Sequence, residues 1–361
     1  MKYLIMTAVL CLFILQGCIN EPPLKQPFRD FEPVALQDGW EIATPAEAGI
    51  DSAGLRQVFA DFHADEKAWQ VRSLSVFRHG KIVAESYTKD ASDRVTPRAI
   101  WSCTKQFTGV LAGIALERGL ISSLDDPIGV YLPDAVARYP DKDGITIRDL
   151  LTMRSGIDYR NYGIGGDDSQ IMQQIPDNYL AFVLAKPLVV EPGTEFDYKD
   201  GDPQILSSVI QAAAGEPMDA WAQKVLLAPL GIERFEWRRY RDGATLGSFG
   251  ILTTPREMAK LAQLTLDGGM AGGTAVVSAD WITEMTSPLV EAGDKHFGYQ
   301  WWSYPEHGTY FMSGNGRQLV FVFPEKELIV VITSEPNLQG KFNLPTPTGR
   351  EYAQRVEALC D

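Results

Sequence analysis

Apolar residues recur along this chain in two patterns, a helical spacing and strand-like runs. The places where one pattern gives way to the other predict where helices and strands begin and end. A first stretch has apolar residues at helical spacing and predicts an amphipathic helix; these residues are Leu55, Val58, Phe59 and Phe62. Residues 73–88, SLSVFRHGKIVAESYT, then form two strand-like runs on either side of His79-Gly80. Two such runs around a short turn predict a β-hairpin.

The middle of the chain is helical in pattern. A long helix is predicted to begin near Ser102 and to bury its apolar face, with Gly119 as its C-cap. Thr146 and Asp149 have the spacing of a capping box, which marks another helix start. Further helical segments are predicted over 178–185, 203–214 and 255–267, and a last one over 350–359.

The C-terminal part of the chain returns to strands. Four strand-like segments follow one another over 298–304, 308–313, 317–323 and 328–334, with a turn at 324–327. Strands at both ends with helices between them favour an α/β (α+β) fold. We therefore expect one antiparallel sheet built from distant segments, flanked by helices, with an inserted and mostly helical subdomain.

The N-terminus has the pattern of an export signal. A basic start precedes an apolar run, residues 3–15, which is shorter than a membrane span but typical of a secretory signal. Leu15-Gln16-Gly17-Cys18 resembles a bacterial lipoprotein cleavage site, which implies a lipid on Cys18; an ordinary signal peptide with a chance cysteine is the alternative. We predict a signal peptide at 1–17, a proline-rich and charged tether at 18–45, and the folded domain at 46–361.

Composition and missing motifs exclude several function classes. The formal net charge of −14 argues against nucleic acid, because a polyanion needs clustered Lys and Arg. The four histidines are scattered, and no HExxH is present, so neither zinc nor another metal is expected. A dinucleotide fingerprint and a GxSxG elbow are also absent, and no cofactor is predicted.

The motif S-x-x-K occurs twice, at Ser86/Lys89 and at Ser102/Lys105. Ser86 ends a predicted strand, where residues three apart point to opposite faces. Ser102 opens a predicted helix, where positions i and i+3 share a face, and the helix N-terminus disfavours an ammonium on Lys105. This context predicts a neutral lysine that can take the serine's proton. The motif alone leaves an ordinary polar helix start equally open.

Longer segments extend this pattern. They are IWSCTKQFTGVLAGIALERGLISSLDDPIGVYLPD, ITIRDLLTMRSGI, FDYKDGDPQILSSVI, GSFGILTTPREMAKLAQLTLDGG and FMSGNGRQLVFVFPEKELIVVIT. In this order they resemble the penicillin-recognising serine hydrolases, which comprise class C β-lactamases, D-alanyl-D-alanine peptidases, and esterase and 6-aminohexanoate-dimer hydrolase relatives. The resemblance runs from about residue 46 to the C-terminus and implies a β-lactamase-like fold.

The resemblance also implies roles for individual residues. Ser102 would be the nucleophile, Lys105 its base partner, and Tyr198 the tyrosine that relays a proton to the leaving group. Gly314 matches the glycine of the third motif. The backbone N–H groups of Asn315 and Ser102 would then form the oxyanion hole.

Two departures from the family pattern bear on the substrate. Asp200 stands where the second motif usually has asparagine, so a donor for an acylamide group is lost. Its carboxylate would raise the pKa of Lys105 if the two groups approach each other. The third motif, Met312-Ser313-Gly314, lacks the usual cation. We expect uncharged esters or amides rather than β-lactams, as in the 6-aminohexanoate-dimer hydrolase and esterase branch.

Other candidate residues carry less specific signals. Tyr159, Tyr162 and Gly163–Gly166 line the substrate pocket or form a surface loop. Of Trp301 and Trp302, one is expected in the core and the other, taken here as Trp302, on the pocket wall. Cys103 is expected to be a buried bystander, because it faces away from its neighbour on the helix.

The preferred hypothesis is a serine hydrolase tethered through Cys18 in the bacterial cell envelope. It would face the periplasm, on the outer membrane, because Ile19-Asn20 lacks the aspartate associated with inner-membrane retention. A β-lactamase or D-alanyl-D-alanine peptidase is one alternative. A catalytically silent binding module of the cell envelope is the other.

Overall fold

We describe a computed structural model of the chain over residues 25–68, 70–161, 167–174, 178–335 and 347–361. The predicted signal peptide at 1–17, the lipidation site Cys18, and the pocket candidates Tyr162 and Gly163–Gly166 lie outside the described residues.

A nine-stranded sheet dominates the fold, with the strand order β1-β3-β2-β14-β13-β12-β11-β10-β9. Smaller sheets of the order β4-β6-β5 and β7-β8 accompany it. The strands are β1 (Glu41–Ile42), β2 (Val71–Arg78), β3 (Lys81–Tyr87), β4 (Arg98–Ala99), β5 (Phe235–Trp237), β6 (Ile251–Thr253), β7 (Met270–Ala271), β8 (Thr274–Ala275), β9 (Val290–Ala292), β10 (Lys295–Phe297), β11 (Trp302–Tyr304), β12 (Thr309–Gly314), β13 (Gln318–Phe323) and β14 (Leu328–Ser334).

The helices of the described residues are α1 (Ser52–Ala64), α2 (Thr104–Glu117), α3 (Pro133–Arg138), α4 (Ile147–Leu151), α5 (Asp168–Gln174), α6 (Tyr179–Leu184), α7 (Gly201–Ala214), α8 (Met218–Ala222), α9 (Pro255–Leu266), α10 (Ala279–Thr286) and α11 (Pro347–Glu357). Within this part of the chain, no helix combines the length and apolar character that crossing a membrane requires.

The topology confirms that distant segments build one sheet. The N-terminal hairpin of β2 and β3 pairs with β14, and the strands β9 to β14 complete the sheet after a long, mostly helical insertion. All neighbours are antiparallel except β1, which pairs parallel to β3, so the expectation of a purely antiparallel sheet is wrong at this edge. The hairpin turn is made at His79 and Gly80, both with positive φ.

Helices cover both faces of the sheet, and alternate residues of its central strands face one layer or the other. On β14, Ile329 and Val331 belong to the core that contains α9, whereas Val330 and Ile332 belong to the core that contains α1 and α11. Burial on both faces explains why this strand is a continuous apolar run instead of an alternating one. The insertion extends the core that contains α9, with α7 packing against α2 and α4.

The predicted tether is partly integrated into the domain. Within residues 25–45, Phe31 is buried and its carbonyl accepts a hydrogen bond from the backbone N–H of Glu85 on β3. Asp38 forms a buried ion pair with Arg256 of α9, 2.9 Å long. This segment therefore packs along the sheet and contributes β1, and the domain start at residue 46 stays a prediction.

Local capping signals behave as predicted. Thr146 and Asp149 form a complete capping box at the start of α4. The helix α2 ends at Glu117, and Gly119 follows its C-cap, Arg118, with φ of +69°. At its other end α2 begins at Thr104, two residues later than expected, because a 3₁₀ turn over Trp101–Cys103 precedes it.

Candidate active site

Ser102 lies in the 3₁₀ turn that leads into the most deeply buried helix of the domain. The preceding residue, Trp101, has a left-handed backbone with φ of +52°, a conformation that costs free energy in a bulky residue. The N–H of Ile100 is held by the carbonyl of Ile251, which ties this turn to β6. Ser102 is half-buried, whereas residues 103–115 behind it are buried. The turn therefore presents one hydroxyl at the accessible end of a rigid helix.

Lys105 is fully buried and directly contacts Ser102. Its Nζ donates hydrogen bonds to Ser102 Oγ at 3.0 Å, to Asp200 Oδ1 at 2.5 Å and to the carbonyl of Ser248 at 3.0 Å. The predicted i, i+3 pairing of serine and lysine is confirmed. Cys103 between them points away and donates from Sγ to the carbonyl of Gln318 at 3.3 Å, as expected of a bystander.

The protonation state of Lys105 differs from the expected neutral amine. Burial lowers its pKa, but Asp200 and Tyr198 together outweigh burial, and the pKa of Lys105 is raised. The expectation that an approaching carboxylate would raise this pKa is confirmed. The expectation of a neutral resting lysine is wrong, because the direct ion pair with Asp200 favours the ammonium more than burial disfavours it, once the effect of Tyr198 is added.

Tyr198 completes the group around the nucleophile. Its side chain lies beside Ser102 and Lys105, both of which lower its pKa, and its ring centroid lies 5.2 Å from Lys105 Nζ. Burial raises the pKa of Tyr198, and the nearby Lys105 only partly opposes that effect. At neutral pH the residue is therefore a phenol, which can donate its proton. Tyr198, far from them in sequence, thus lies beside the neighbouring residues Ser102 and Lys105.

The end of β12 lies against the turn that carries Ser102. A β carbon on Gly314 would lie 2.3 Å from the carbonyl oxygen of Ile100 and 3.3 Å from the backbone nitrogen of Cys103. Only glycine permits this approach. The next residue, Asn315, is half-buried and follows directly on this contact. The position suits the predicted oxyanion donor beside the N–H of Ser102.

Asp200 is held by residues that sequence reasoning missed. Its Oδ2 accepts a hydrogen bond from Ser169 Oγ at 2.6 Å, and its backbone N–H donates to Asn161 Oδ1 at 2.8 Å. Its carbonyl accepts from Ser248 Oγ at 2.5 Å. These three partners come from separate segments without a recognisable motif, so the sequence carries no signal for them.

The expected pocket residue Tyr159 lies behind Asp200 and does not reach the pocket wall. Its side chain is 2% exposed, and its hydroxyl lies 3.3 Å from Ser169 Oγ. A β carbon on Gly201, at the start of α7, would lie 3.0 Å from its ring. Tyr159 therefore supports the segment that presents Asp200, and the pocket-lining role expected for it does not fit its burial.

Both tryptophans are buried, so the core position expected for Trp301 is confirmed, while the pocket-wall role of Trp302 stays a prediction. Trp301 is fully buried in the core, with its ring 5.4 Å from that of Tyr310. Trp302 lies beside the catalytic group, with its ring 5.3 Å from that of Tyr198. Lys295 Nζ lies 4.4 Å from the Trp302 ring centroid, close enough for a cation–π contact.

A cavity of about 570 Å³ adjoins the third motif. Its lining residues are Asp294, Lys295, Tyr304, Phe311, Ser313, Gly314, Arg317, Leu319, Phe321, Arg350, Glu351 and Gln354. Three cations and two carboxylates are among them. The third motif itself has no cation, but Lys295, Arg317 and Arg350 place positive charge beside it. The inference of an uncharged substrate from the motif alone is therefore unsupported.

The described residues contain no group of three or more His, Cys, Asp or Glu side chains arranged to hold a metal ion. His63, the most buried histidine, is hydrogen-bonded to the carbonyl of Gln26 and to Ser86, both at 2.8 Å.

Comparisons with known proteins identify the family of this chain. The beta-lactamase family model matches residues 56–345. The 6-aminohexanoate-dimer hydrolase of Paenarthrobacter ureafaciens is 22% identical over an alignment that covers 83% of this chain and 81% of that protein.

Solved structures share the fold. EstCE1, a hydrolase with promiscuous acyltransferase activity, is 17% identical with a TM-score of 0.67, covering 84% of this chain and 98% of its own. The D-alanine carboxypeptidase of Burkholderia cenocepacia is 17% identical with a TM-score of 0.64, covering 85% of this chain and 98% of its own.

Proposed function

The chain belongs to the beta-lactamase family, and we propose that it is a serine hydrolase that cleaves ester or amide bonds through an acyl-enzyme on Ser102. One observation carries the proposal: the Oγ of a half-buried Ser102 accepts a 3.0 Å hydrogen bond from Lys105 Nζ, and the ring of Tyr198 lies 5.2 Å from the same Nζ. A nucleophile bonded to one proton-transfer group, with a second beside it, is the arrangement that covalent catalysis needs.

The proposed reaction has two halves. Ser102 Oγ attacks the carbonyl carbon while its proton passes to Lys105 Nζ. The N–H groups of Ser102 and Asn315 stabilise the developing oxyanion. Tyr198, a phenol at neutral pH, protonates the leaving group. Water then attacks the acyl-enzyme, with the same groups moving the proton in reverse, and releases the acid.

An active-serine probe tests this assignment. Purified protein incubated with a fluorophosphonate should carry one label, which peptide mass spectrometry places on the peptide containing Ser102. Ser102→Ala should remove the label and Ser86→Ala should retain it. Failure of the wild-type protein to react with any serine probe would instead favour the catalytically silent binding module.

The cavity beside the third motif supports a substrate that bears an acidic group. Lys295 and Arg350 can form charge-assisted hydrogen bonds, each worth about 1.5–3 kcal/mol, to a carboxylate. We expect an ester with a free carboxylate to have a KM about 10-fold below that of its neutral isostere. Arg350→Ala should abolish the difference, and Arg138→Ala, at the exposed end of α3, should preserve it. Equal KM values for both esters in the wild-type protein would refute this preference.

The same cavity is also compatible with the β-lactamase or D-alanyl-D-alanine peptidase alternative, because the substrates of those enzymes also carry a carboxylate. The hydrolysis panel should therefore include esters, linear amides and a chromogenic cephalosporin. Turnover of the cephalosporin without turnover of any ester would favour that alternative. Ester turnover with no β-lactam turnover supports the esterase or amidase assignment.

We also propose a lipid anchor on Cys18 that places the enzyme in the bacterial cell envelope, facing the periplasm on the outer membrane. The support is the sequence Leu15-Gln16-Gly17-Cys18 after an apolar run. The intact chain should incorporate labelled palmitate and fractionate with outer membranes, and Cys18→Ser should do neither. Incorporation of label into neither protein would favour an ordinary signal peptide.

A further inference from the structure

Asp200 is a buried carboxylate fixed on the far side of Lys105 from the nucleophile. Its side chain is 8% exposed, and both oxygens are engaged, Oδ1 by Lys105 Nζ and Oδ2 by Ser169 Oγ. Its backbone N–H and carbonyl are bonded to Asn161 and Ser248. Four contacts, two of the carboxylate and two of the backbone, therefore fix this residue. Its carboxylate stands where the family pattern has an amide.

The hydrogen bonds of Lys105 indicate a protonated amine, which cannot act as the base for Ser102. A lysine ammonium has three protons, and Nζ has three acceptors within reach, namely Ser102 Oγ, Asp200 Oδ1 and the carbonyl of Ser248. This is the environment of a protonated amine, which cannot accept the proton of Ser102. The base must therefore be generated within the site.

We propose that Asp200 is the positioning residue that makes Lys105 a base, by accepting a proton from Nζ as Nζ takes the proton of Ser102. This inference rests on the proposed function. In the step, the Ser102 O–H bond breaks and an N–H bond forms on Lys105, while another N–H bond breaks and an O–H bond forms on Asp200. The Oγ electron pair forms the bond to the carbonyl carbon, and the carbonyl π pair moves to its oxygen. When the bond to the leaving group breaks, its electron pair takes the phenolic proton of Tyr198; Tyr198 then takes a proton from Lys105, and Lys105 takes back the proton held by Asp200.

Burial makes this transfer accessible. Removing an ammonium and a carboxylate from water raises the energy of the ion pair relative to the neutral amine and carboxylic acid. Nζ and Oδ1 are only 2.5 Å apart, so the proton crosses one short hydrogen bond. Ser169 holds Oδ2, which keeps Oδ1 directed at Lys105.

Among the titratable groups around Asp200, Lys105 is the one that can exchange a proton with it directly. The described titratable groups that act on Asp200 or border it are Lys105, Tyr198, Tyr159, Asp167 and Tyr240. Lys105 is the cation among them. Lys199, next in sequence, points away and bonds the carbonyl of Ile157 and the carboxylate of Asp197.

The pH profile of Asp200→Asn tests the proposal. In the wild-type protein the active form is the Lys105–Asp200 pair with one shared proton, and activity falls when acid adds a second. In the variant the active form is a lone neutral amine, which acid converts to the ammonium; even with its pKa lowered by burial, an amine takes up a proton at higher pH than a carboxyl group does. The acid limb of kcat/KM should therefore move to higher pH by about one to three units, with KM changed less than about three-fold.

Ser169→Ala is the second variant, and it retains the carboxylate. Removing a donor to the charged carboxylate favours its protonated form, so the acid limb should move in the same direction by a smaller amount. A uniform loss of activity in both variants, without movement of the acid limb, would show a purely structural role and overturn the proposal. Probe labelling of Ser102 in the wild-type protein separates that outcome from failure of the proposed function. The proposed function predicts the label whether or not Asp200 takes part in proton transfer, so an unlabelled wild-type protein would contradict the proposed function itself.

Discussion

The two S-x-x-K motifs of this chain have the same letters and opposite surroundings. Ser102 lies at a helix start, half-buried, 3.0 Å from the amine of Lys105. Ser86 lies within the strand β3, buried, and its hydroxyl bonds the imidazole of His63. Lys89, three residues on, has its Nζ 3.9 Å from the carboxylate of Glu335.

The difference shows that the secondary structure beneath the motif decides its chemistry. Residues three apart share a face on a helix and oppose each other on a strand. The helix α2 therefore joins Ser102 to Lys105, whereas β3 sends Ser86 and Lys89 to separate partners. An accessible serine beside an amine is a candidate nucleophile, and a buried serine that bonds a histidine stabilises the fold.

The largest expected effect separates the two serines. Ser102→Ala should lower kcat by roughly 10⁶-fold, the loss typical of removing a serine nucleophile. Ser86→Ala should leave kcat within about two-fold of the wild-type value, because Ser86 is remote from the proposed chemistry. Steady-state hydrolysis of an activated ester measures both. Comparable losses in the two variants would break the comparison.

The two lysines give the next contrast. Lys105→Met keeps the length of the side chain but removes the proton-transfer group, and kcat should fall by about 10²–10⁴-fold. Lys89→Met should leave kcat unchanged to within about two-fold. Because Lys105→Met also leaves Asp200 buried without its partner, the variant should lose about 3–5 kcal/mol of unfolding free energy. Urea denaturation monitors stability, and kinetics below the transition keep the two effects apart.

Sequence patterns predicted the fold well where local signals are strong. The hairpin around His79-Gly80, the capping box at Thr146 and the final strands β12 to β14 depend on short-range periodicity and turn chemistry. The packing of residues 25–45 was missed, because a proline-rich segment has no periodicity that indicates burial. Its contacts with β3 and α9 are long-range and leave no local pattern.

The candidate site could be predicted only in part for the same reason. Ser102 and Lys105 share one helix turn, so their contact follows from spacing. The approach of Asp200 to Lys105 joins residues 95 positions apart, and it decides whether the lysine is charged. The charge beside the third motif comes from Lys295 and Arg350 on other elements, so the motif's own letters carry no signal for it, and the uncharged substrate stays a prediction.

A smaller effect is expected from the glycine that brings β12 against the Ser102 turn. In Gly314→Ala the new methyl group would lie 2.3 Å from the carbonyl of Ile100, so β12 must shift and displace Asn315. Loss of one oxyanion donor typically lowers kcat by about 10²–10³-fold. Gly144→Ala is the matched control, since a β carbon there meets nothing within 4 Å. An unchanged kcat in Gly314→Ala would remove Asn315 from the proposed machinery.

The smallest effect concerns the second motif and tests its structural role. The Nδ1 of His63 faces the carbonyl of Gln26, which only accepts, so Nδ1 carries the proton and Nε2 accepts from Ser86 Oγ. Ser86→Ala leaves this buried acceptor without its donor, which should lower the unfolding free energy by about 1–3 kcal/mol. Ser122→Ala, on an exposed loop, should change it by less than about 0.5 kcal/mol. Urea titration of both variants, with ester hydrolysis measured on the same samples, gives the comparison. Unchanged stability together with lost activity in Ser86→Ala would show that Ser86 takes part in the reaction. That result would contradict the conclusion that secondary structure determines the role of each S-x-x-K motif.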